Sequence, residues 1–377
     1  MVSLKILHTA DLHIGAELSY LDVNREARRY EVLAVFKRIT EICKNEKVDV
    51  CLIAGDLFDS NVAAKAFFTP VKEAIENASE TKFLYVAGNH DPLDASSPFL
   101  NERLPENLTV FGTDYETVVF EDMKLRVTGR SFSHSEMQYK AIEPMPDDEY
   151  LNIMLMHCDF AASGSIYNPI TAENVMSSGA DYFALGHIHK RTAVEKVGKT
   201  FTSYPGCPEG QGFDETGVKG VYMGEISKGN ADLKFVPCSA RLHIVKKIDL
   251  SFADGTDSAL SSILSTLEAD HGEKYANNLY KLILIGYPED IGAIDTAMLS
   301  VLLRDKLYFV KLRNKMHRRI DPEILAKEVS LKGVFVRKML EKAEAADEDK
   351  KQEIFEAMYL GLDAFETEVA YDEDIIS

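Results

Sequence analysis

No Cys-x-x-Cys pair occurs in this 377-residue chain, and its five cysteines (Cys43, Cys51, Cys158, Cys207 and Cys238) make an odd count. That argues against a disulfide framework and a zinc knuckle, and for a reducing compartment. Positive charge is also short: 42 Lys and Arg stand against 61 Asp and Glu, a net of −19. A chain this acidic is a poor non-specific binder of nucleic acid. If nucleic acid is the substrate, a local basic patch, metal ions or a partner must supply the attraction. No apolar run reaches the roughly 18 residues that a membrane helix needs. Leu4-Lys5-Ile6-Leu7 enters a strand at once, with no signal peptide before it. The chain is therefore expected to be soluble and cytoplasmic, with no membrane partner.

Apolar residues make up 46% of the sequence, enough for real cores. At roughly 150 residues per domain the length suggests two or three domains. The organising stretch runs from Val48 to Asp59. It begins as a β-branched, apolar strand of the kind buried on both faces, breaks at Gly55, and delivers Asp56 to the strand's carboxyl end. Open α/β sheets place their chemistry at that edge.

The same design recurs along the chain. Leu4–Thr9 reads as a strand followed by Asp11-Leu12-His13-Ile14-Gly15. In an extended segment Asp-x-His sets two side chains on one side, and Gly15 lets the backbone turn. Phe83–Ala87 reads as a strand followed by Gly88-Asn89-His90-Asp91-Pro92. Ile153–Met156 ends at His157, and Tyr182–Leu185 ends in Gly186-His187-Ile188-His189. Helices are expected over Arg25–Asn45, with Val32, Phe36, Ile39 and Cys43 on one face, and over Ala63–Ala78. Strand, helix, strand argues for a parallel α/β core. Residues 108–130 and 192–237 are strand-rich, and 133–149 form a loop. Arg25, Arg28 and Arg29 oppose the dipole of the helix they begin. Phosphate contact is one explanation of them, and a salt-bridged, solvated face is the other.

A single histidine at a strand end is ordinary; His8, His134, His243, His271 and His317 are expected to be core or surface residues. Five apolar strands, each followed at once by Asp, Asn or His, do not follow from packing. The set Asp11, His13, Asp56, Asn89, His157, His187 and His189 contains carboxylate and imidazole but no thiolate, which suits manganese, iron or zinc. Seven ligands are too many for one ion and suit two that share Asp56. Two ions about 3.5–4 Å apart are the usual arrangement for hydrolysing phosphate esters.

In their order and wording these motifs resemble the calcineurin-like metallophosphoesterase superfamily over about residues 4–190. Within it, Thr9-Ala10-Asp11-Leu12-His13-Ile14-Gly15, Ala184-Leu185-Gly186-His187-Ile188-His189 and the loop Tyr204-Pro205-Gly206-Cys207-Pro208 with Gly212-Phe213-Asp214-Glu215 resemble SbcD-type DNA repair exonucleases. The likeness is nearest to their YhaO-like members, whose tail Ser330–Val336 also resembles. The resemblance implies a four-layer αββα sandwich and two divalent ions, Mn2+ before Fe2+, Zn2+ or Mg2+. Asp11, His13, Asp56 and His189 would hold the first ion, and Asp56, Asn89, His157 and His187 the second. His90 would be catalytic, facing the scissile phosphate and stabilising or protonating the leaving 3′ oxygen. Many relatives carry a second histidine where this chain has Asp59. Orienting His90 and capping the loop therefore both stay open for Asp59.

Beyond about residue 240 the pattern changes. Strands are expected at His243–Leu250, Leu279–Ile285 and Lys306–Leu312, with helices at about 257–270 and 291–303. The expected organisation is a nuclease domain over 1–240, a small α/β capping domain over 241–320, and an acidic helical segment over 321–377. Arg304, Lys306, Lys311, Arg313, Lys315, Arg318 and Arg319 form a cluster that suits either a phosphate-backbone patch or a protected strand edge. Glu341–Ser377 carries thirteen acids and three bases, and an apolar stripe (Ile354, Met358, Leu362, Phe365, Val369) runs along its last helix. The resemblance implies docking of such helices on an SMC-type coiled-coil ATPase, and it admits a homodimer; packing on the chain's own body is the other reading of the stripe. The expected activity is a metal-dependent DNA exonuclease. The alternatives are a phosphatase or phosphodiesterase of small phosphorylated molecules, and a non-catalytic scaffold of an ATPase complex.

Overall fold

The computed structural model describes residues 3–21, 24–162, 164–319 and 321–365. It divides into two compact units, Met1–His243 and Ile244–Ser377.

The first unit opens with β1 (Leu4–Thr9), α1 (Arg25–Asn45), β2 (Val50–Ala54), α2 (Asn61–Glu76) and β3 (Lys82–Val86). The strands pair in parallel, as the alternation with helices requires. A short α3 (Pro98–Asn101) leads to β4 (Leu108–Val110). Then come β5 (Glu116–Phe120), β6 (Leu125–Arg130), β7 (Leu151–His157), α4 (Ala172–Ser177) and β8 (Tyr182–Gly186). The unit closes with β9 (Glu195–Val197), β10 (Thr200–Ser203), β11 (Gly220–Ser227) and β12 (Asn230–Pro237). Two six-stranded sheets result, β12-β11-β1-β2-β3-β4 and β5-β6-β7-β8-β10-β9.

Alternation along the strands builds the layers. In the first sheet Leu7, Cys51, Ile53, Phe83 and Tyr85 pack with Val32, Phe36 and Ile39 of α1 and Phe67 and Val71 of α2. Their neighbours Ile6, Val50, Leu52, Leu84 and Val86 pack with Val127, Ile153, Leu155 and Ala184 of the second sheet. On the second sheet's other face Met154, Met156, Phe183 and Leu185 pack with Val175 of α4. The order is helix, sheet, sheet, helix, the four-layer αββα sandwich expected from the sequence. Phe83 and Tyr85 are fully buried; truncating either to alanine removes packing worth about 3–5 kcal/mol. Helix α2 starts two residues before its expected Ala63, because Ser60 Oγ accepts from the Ala63 backbone N–H and caps it.

The second unit holds β13 (His243–Asp249), α5 (Thr256–His271), β14 (Leu279–Gly286), α6 (Thr296–Arg304) and β15 (Phe309–Met316). Its sheet order is β13-β14-β15, with β15 at an edge. Ile263 and Leu267 of α5 and Leu299 and Leu303 of α6 pack with Leu282 and Leu284 of β14. Two expectations shift here. The strand expected at Lys306–Leu312 begins at Phe309, because Lys306 N and Leu307 N still bond back to Leu303 O. The helix expected from residue 291 begins at Thr296, where Asp295 Oδ1 accepts from Ala297 N and Met298 N. Helices α7 (Pro322–Leu325), α8 (Leu331–Glu344) and α9 (Glu348–Ala364) follow. They have their own core, in which Met358 and Leu362 meet Val336. Val369, the last residue of the expected stripe, lies outside the described residues. Among the described residues no helix is long and apolar enough to cross a membrane.

Candidate metal centre

The segments beyond β1 and β2 continue side by side: Asp11 N donates to Gly55 O (3.1 Å), His13 N to Asp56 O (3.0 Å) and Ile14 N to Leu57 O (2.9 Å). They are not extended, however. Asp11 (φ 54°), His13 (φ 47°) and Asp56 (φ 48°) are left-handed, as is His187 (φ 106°). The expectation that alternation alone aligns Asp11 with His13 is therefore corrected: a strained turn aims them. Strain of this kind costs on the order of 1–3 kcal/mol per residue and persists where the surroundings over-determine it.

The turns bring the expected residues to one point. Asp56 Oδ2 lies 3.6 Å from His13 Nε2 and 3.3 Å from His157 Nε2, between the two rings. On the first side His189 Nε2 comes within 3.0 Å of His13 Nε2, and Asp11, His13 and His189 offer ligand atoms within 4.8 Å of one another. On the second side Asn89 Oδ1 lies 2.9 Å from His157 Nε2 and 3.1 Å from His187 Nδ1. Asp11, Asp56 and His157 form a further group with ligand atoms within 4.8 Å. His90 sits at the rim with His13 and Asp56 and is the exposed member, its side chain 45% accessible.

Outer contacts orient these groups. His157 Nδ1 donates to Ala54 O (2.9 Å), so its Nε2 is the nitrogen turned into the cluster. His189 Nδ1 bonds the Glu215 carboxylate, and His187 Nε2 lies 3.4 Å from Asp159 Oδ1. His90 Nδ1 donates to the backbone O of Asp59 (3.1 Å). The Asp59 carboxylate stands 3.5 Å from His13 Nδ1 and 3.8 Å from His90 Nδ1. Ser60 caps the next helix; Asp59 N donates to Ile14 O at 3.2 Å, and its carboxylate faces the two histidines. Asp91, fully buried, accepts from Phe58 N (2.9 Å), Tyr85 Oη (2.6 Å) and Gly88 N (2.9 Å), which clamps the Gly88–Asp91 turn. Gly88 is required there: a Cβ on it would lie 2.7 Å from both Cγ and backbone N of Asp56.

The electrostatics ask for cations. Burial would raise Asp56, but the neighbouring His157, His13 and His90 hold it below the usual carboxylate range. Burial would lower His13 and His157, but the facing carboxylates push each up to about 9. His187, buried beside His157, falls to about 4. Burial and the charge of Asp56 push Asp91 up to about 6. Clustered carboxylates thus retain protons on two imidazoles, which divalent ions would displace. A donor set of imidazole, carboxylate and amide oxygen fits manganese, iron or zinc.

The family comparison agrees with this geometry: residues 4–191 match the calcineurin-like phosphoesterase family. Residues 4–191 are a calcineurin-like phosphoesterase domain. The family works with divalent metal ions. The chain is 28% identical over 251 residues to the uncharacterized metallophosphoesterase YhaO of Bacillus subtilis, a match covering 62% of this chain and 60% of that protein. It is 27% identical over 255 residues to the DNA double-strand break repair protein Mre11 of Methanopyrus kandleri, covering 60% of this chain and 55% of that one. To the SbcD subunit of the Bacillus subtilis nuclease SbcCD it is 25% identical over 277 residues, covering 60% and 67%. The match thus spans somewhat over half of the first two relatives.

Other members of the phosphoesterase domain's site are not evident from the sequence. Asp91 closes the Gly88-Asn89-His90-Asp91 motif, and Asp159 lies two residues beyond a proposed ligand, its one local signal. Glu215 is 26 residues from His189, and only the wording of its loop sets it apart. Arg28, one of three helix-leading arginines, is neither solvated nor free for phosphate. It is fully buried, bonded to Glu209 and, at 2.9 Å, to Glu31. Glu209 also accepts from Ala240 N and Arg241 N, and Arg241 bonds Glu31. Arg29 donates to Gly15 O (3.0 and 3.2 Å) behind the first turn. His8 is a core histidine between Tyr182 Oη (2.8 Å) and Leu185 O (3.2 Å).

Proposed function

We propose that the domain is a two-metal phosphodiesterase acting on DNA as an exonuclease. The observation that carries the reading is Asp56 Oδ2 lying between His13 Nε2 and His157 Nε2, with further ligand-type atoms beyond each. Asp11, His13, Asp56 and His189 would hold one ion, and Asp56, Asn89, His157 and His187 the other, with Mn2+ the first choice. Two such ions supply Lewis acidity and neutralise phosphate charge. Asn89 contributes a neutral oxygen, which leaves more positive charge for the phosphate at its side. His90, anchored through Nδ1 to Asp59 O, keeps Nε2 for the leaving 3′ oxygen. Asp91 holds the turn that presents both residues.

DNA as substrate is supported by the DNA double-strand break repair name of one relative, the nuclease name of another, and by the basic cluster. Lys311, Arg313 and Lys315 alternate along β15 and so share one face of that edge strand. On this reading residues 241–320 act as a capping domain that meets the DNA backbone. Residues 321–377 dock on an SMC-type ATPase, a homodimer being one assembly. Five free, buried cysteines suit a reducing cytoplasm.

The test is incubation with Mn2+, end-labelled single- and double-stranded DNA, and bis(p-nitrophenyl) phosphate. Stepwise release of mononucleotides supports the proposal. Turnover of the bis-ester alone makes the protein a small-molecule phosphodiesterase. No turnover, with tight binding to an ATPase partner, makes it a scaffold.

A further inference from the structure

We propose that Glu215 is a positioning residue of the centre. Its carboxylate holds the Nδ1 proton of His189, commits Nε2 of that ring to the first metal position, and makes the two positions unequal. The inference rests on the two-metal reading above.

The argument starts from the ring. His189 Nε2 lies 3.0 Å from His13 Nε2, in a group with Asp11. A nitrogen that is to bind a metal must present a lone pair, so the ring proton must sit on Nδ1. Glu215 Oε1 is the acceptor found there. The carboxylate cannot swing away, because its other oxygen accepts from Gln211 N at 2.7 Å and has Cys207 Sγ at 3.5 Å. The loop carrying Glu215 is itself tied to the histidine: Cys207 N donates to His189 O (3.2 Å) and Glu215 N to Gly212 O (3.2 Å). Gly206 makes the close approach possible at φ +71°, since a Cβ there would meet His189 O at 2.6 Å. The loop is anchored at Glu209 on the buried Arg28.

The second side is built differently. His157 Nδ1 is held by a neutral carbonyl, Ala54 O, at 2.9 Å. His187 has Asp159 only at 3.4 Å from Nε2. A carboxylate bonded behind a ligand imidazole raises its basicity, and removing such a partner typically costs 10- to 100-fold in metal affinity. Glu215 therefore strengthens the first position alone. His189, Cys207 and Glu215 also have ligand atoms within 4.8 Å of one another. Yet His189 Nδ1 and both Glu215 oxygens are already engaged, and burial disfavours the Cys207 thiolate that a third ion would need.

The test is calorimetric titration of the metal-free protein with Mn2+, repeated with Co2+ and its visible absorption as a site-resolved signal. Wild type should bind two ions; one or none overturns the two-metal reading itself, independently of Glu215. Glu215→Gln keeps the size but supplies one acceptor oxygen where two donors wait. It should weaken one of the two ions about 10- to 100-fold and leave the other within about twofold, a split that a general loosening of the loop would not produce. Glu215→Asp keeps the charge and should recover part of the lost affinity; it carries the test if the glutamine variant does not fold. Unchanged affinity for both ions in the variants, or equal loss of both, overturns the proposal. So does a third tight equivalent in wild type that Cys207→Ser removes, since Glu215 would then be a ligand.

Discussion

Gly88→Ala tests the convergence of the site without removing any group from it. Gly88 does not have positive φ, so alanine brings no backbone strain and the effect is steric. Its Cβ would stand 2.7 Å from Cγ and 2.7 Å from backbone N of Asp56, and closer still to Oδ1. Ordinary carbon contacts need about 3.5 Å, so Asp56 and the 88–91 turn must separate by roughly 1 Å. That turn is clamped by three hydrogen bonds to Asp91, and Asp56 Oδ1 accepts from His90 N at 2.9 Å. The movement therefore falls on the shared carboxylate and on His90 together. A misplacement of about 1 Å can cost on the order of 100-fold in rate. The assay is turnover of bis(p-nitrophenyl) phosphate with Mn2+, beside metal content by equilibrium dialysis and circular dichroism as a fold control. A folded variant with wild-type metal content and turnover would refute the placement of Asp56 at the centre.

His90→Ala should bind two ions normally yet lose most phosphodiesterase activity; unchanged turnover removes His90 from the chemistry. Asp56→Asn should lower occupancy at both positions, which dialysis against Mn2+ checks directly. Arg28→Met strands the buried Glu209 without its cation and should destabilise by about 3–5 kcal/mol, with Arg28→Met/Glu209→Met recovering much of it; urea unfolding that shows the single variant equal to wild type contradicts the buried pair. His13 and His157 are pushed up to about 9 by facing carboxylates, so in the metal-free protein both carry protons at pH 7. Loading should then release two or more protons at pH 7, since His189 is raised as well, and affinity should climb with pH up to about 9. Calorimetry in buffers of different ionisation enthalpy reads that number, and zero release contradicts the protonated state.

The strand ends are legible in the sequence because each joins two signals of opposite kind. A run such as Cys51-Leu52-Ile53-Ala54 can lie only inside, and Asp56 directly after it needs partners there. The two-faced alternation in Leu4–Thr9 and Phe83–Val86 likewise carries the layering. Backbone handedness is not legible: Asp11 and His13 have no glycine to announce positive φ, and neighbouring turns impose it. Arg28 and Glu209 lie 181 positions apart, and no local period links them. In the second unit Lys311, Arg313 and Lys315 interrupt the apolar pattern of β15, which pulls the expected strand toward Leu307 and Tyr308.

The proposed ligands come from both sheets of the sandwich. Asp11, His13, Asp56 and Asn89 follow strands of one sheet; His157, His187 and His189 follow strands of the other. An ion held by Asp56 and His157 would thus be a cross-link between sheets, closing a loop of about a hundred residues much as a disulfide would. It can form only after both sheets have docked, so a chain halted with one sheet built cannot use it. Binding of this kind favours the docked state by mass action, by about 4 kcal/mol at a thousandfold excess over Kd. The metal-free protein would then be folded but less stable than the loaded one by that margin, which thermal unfolding with and without Mn2+ reads.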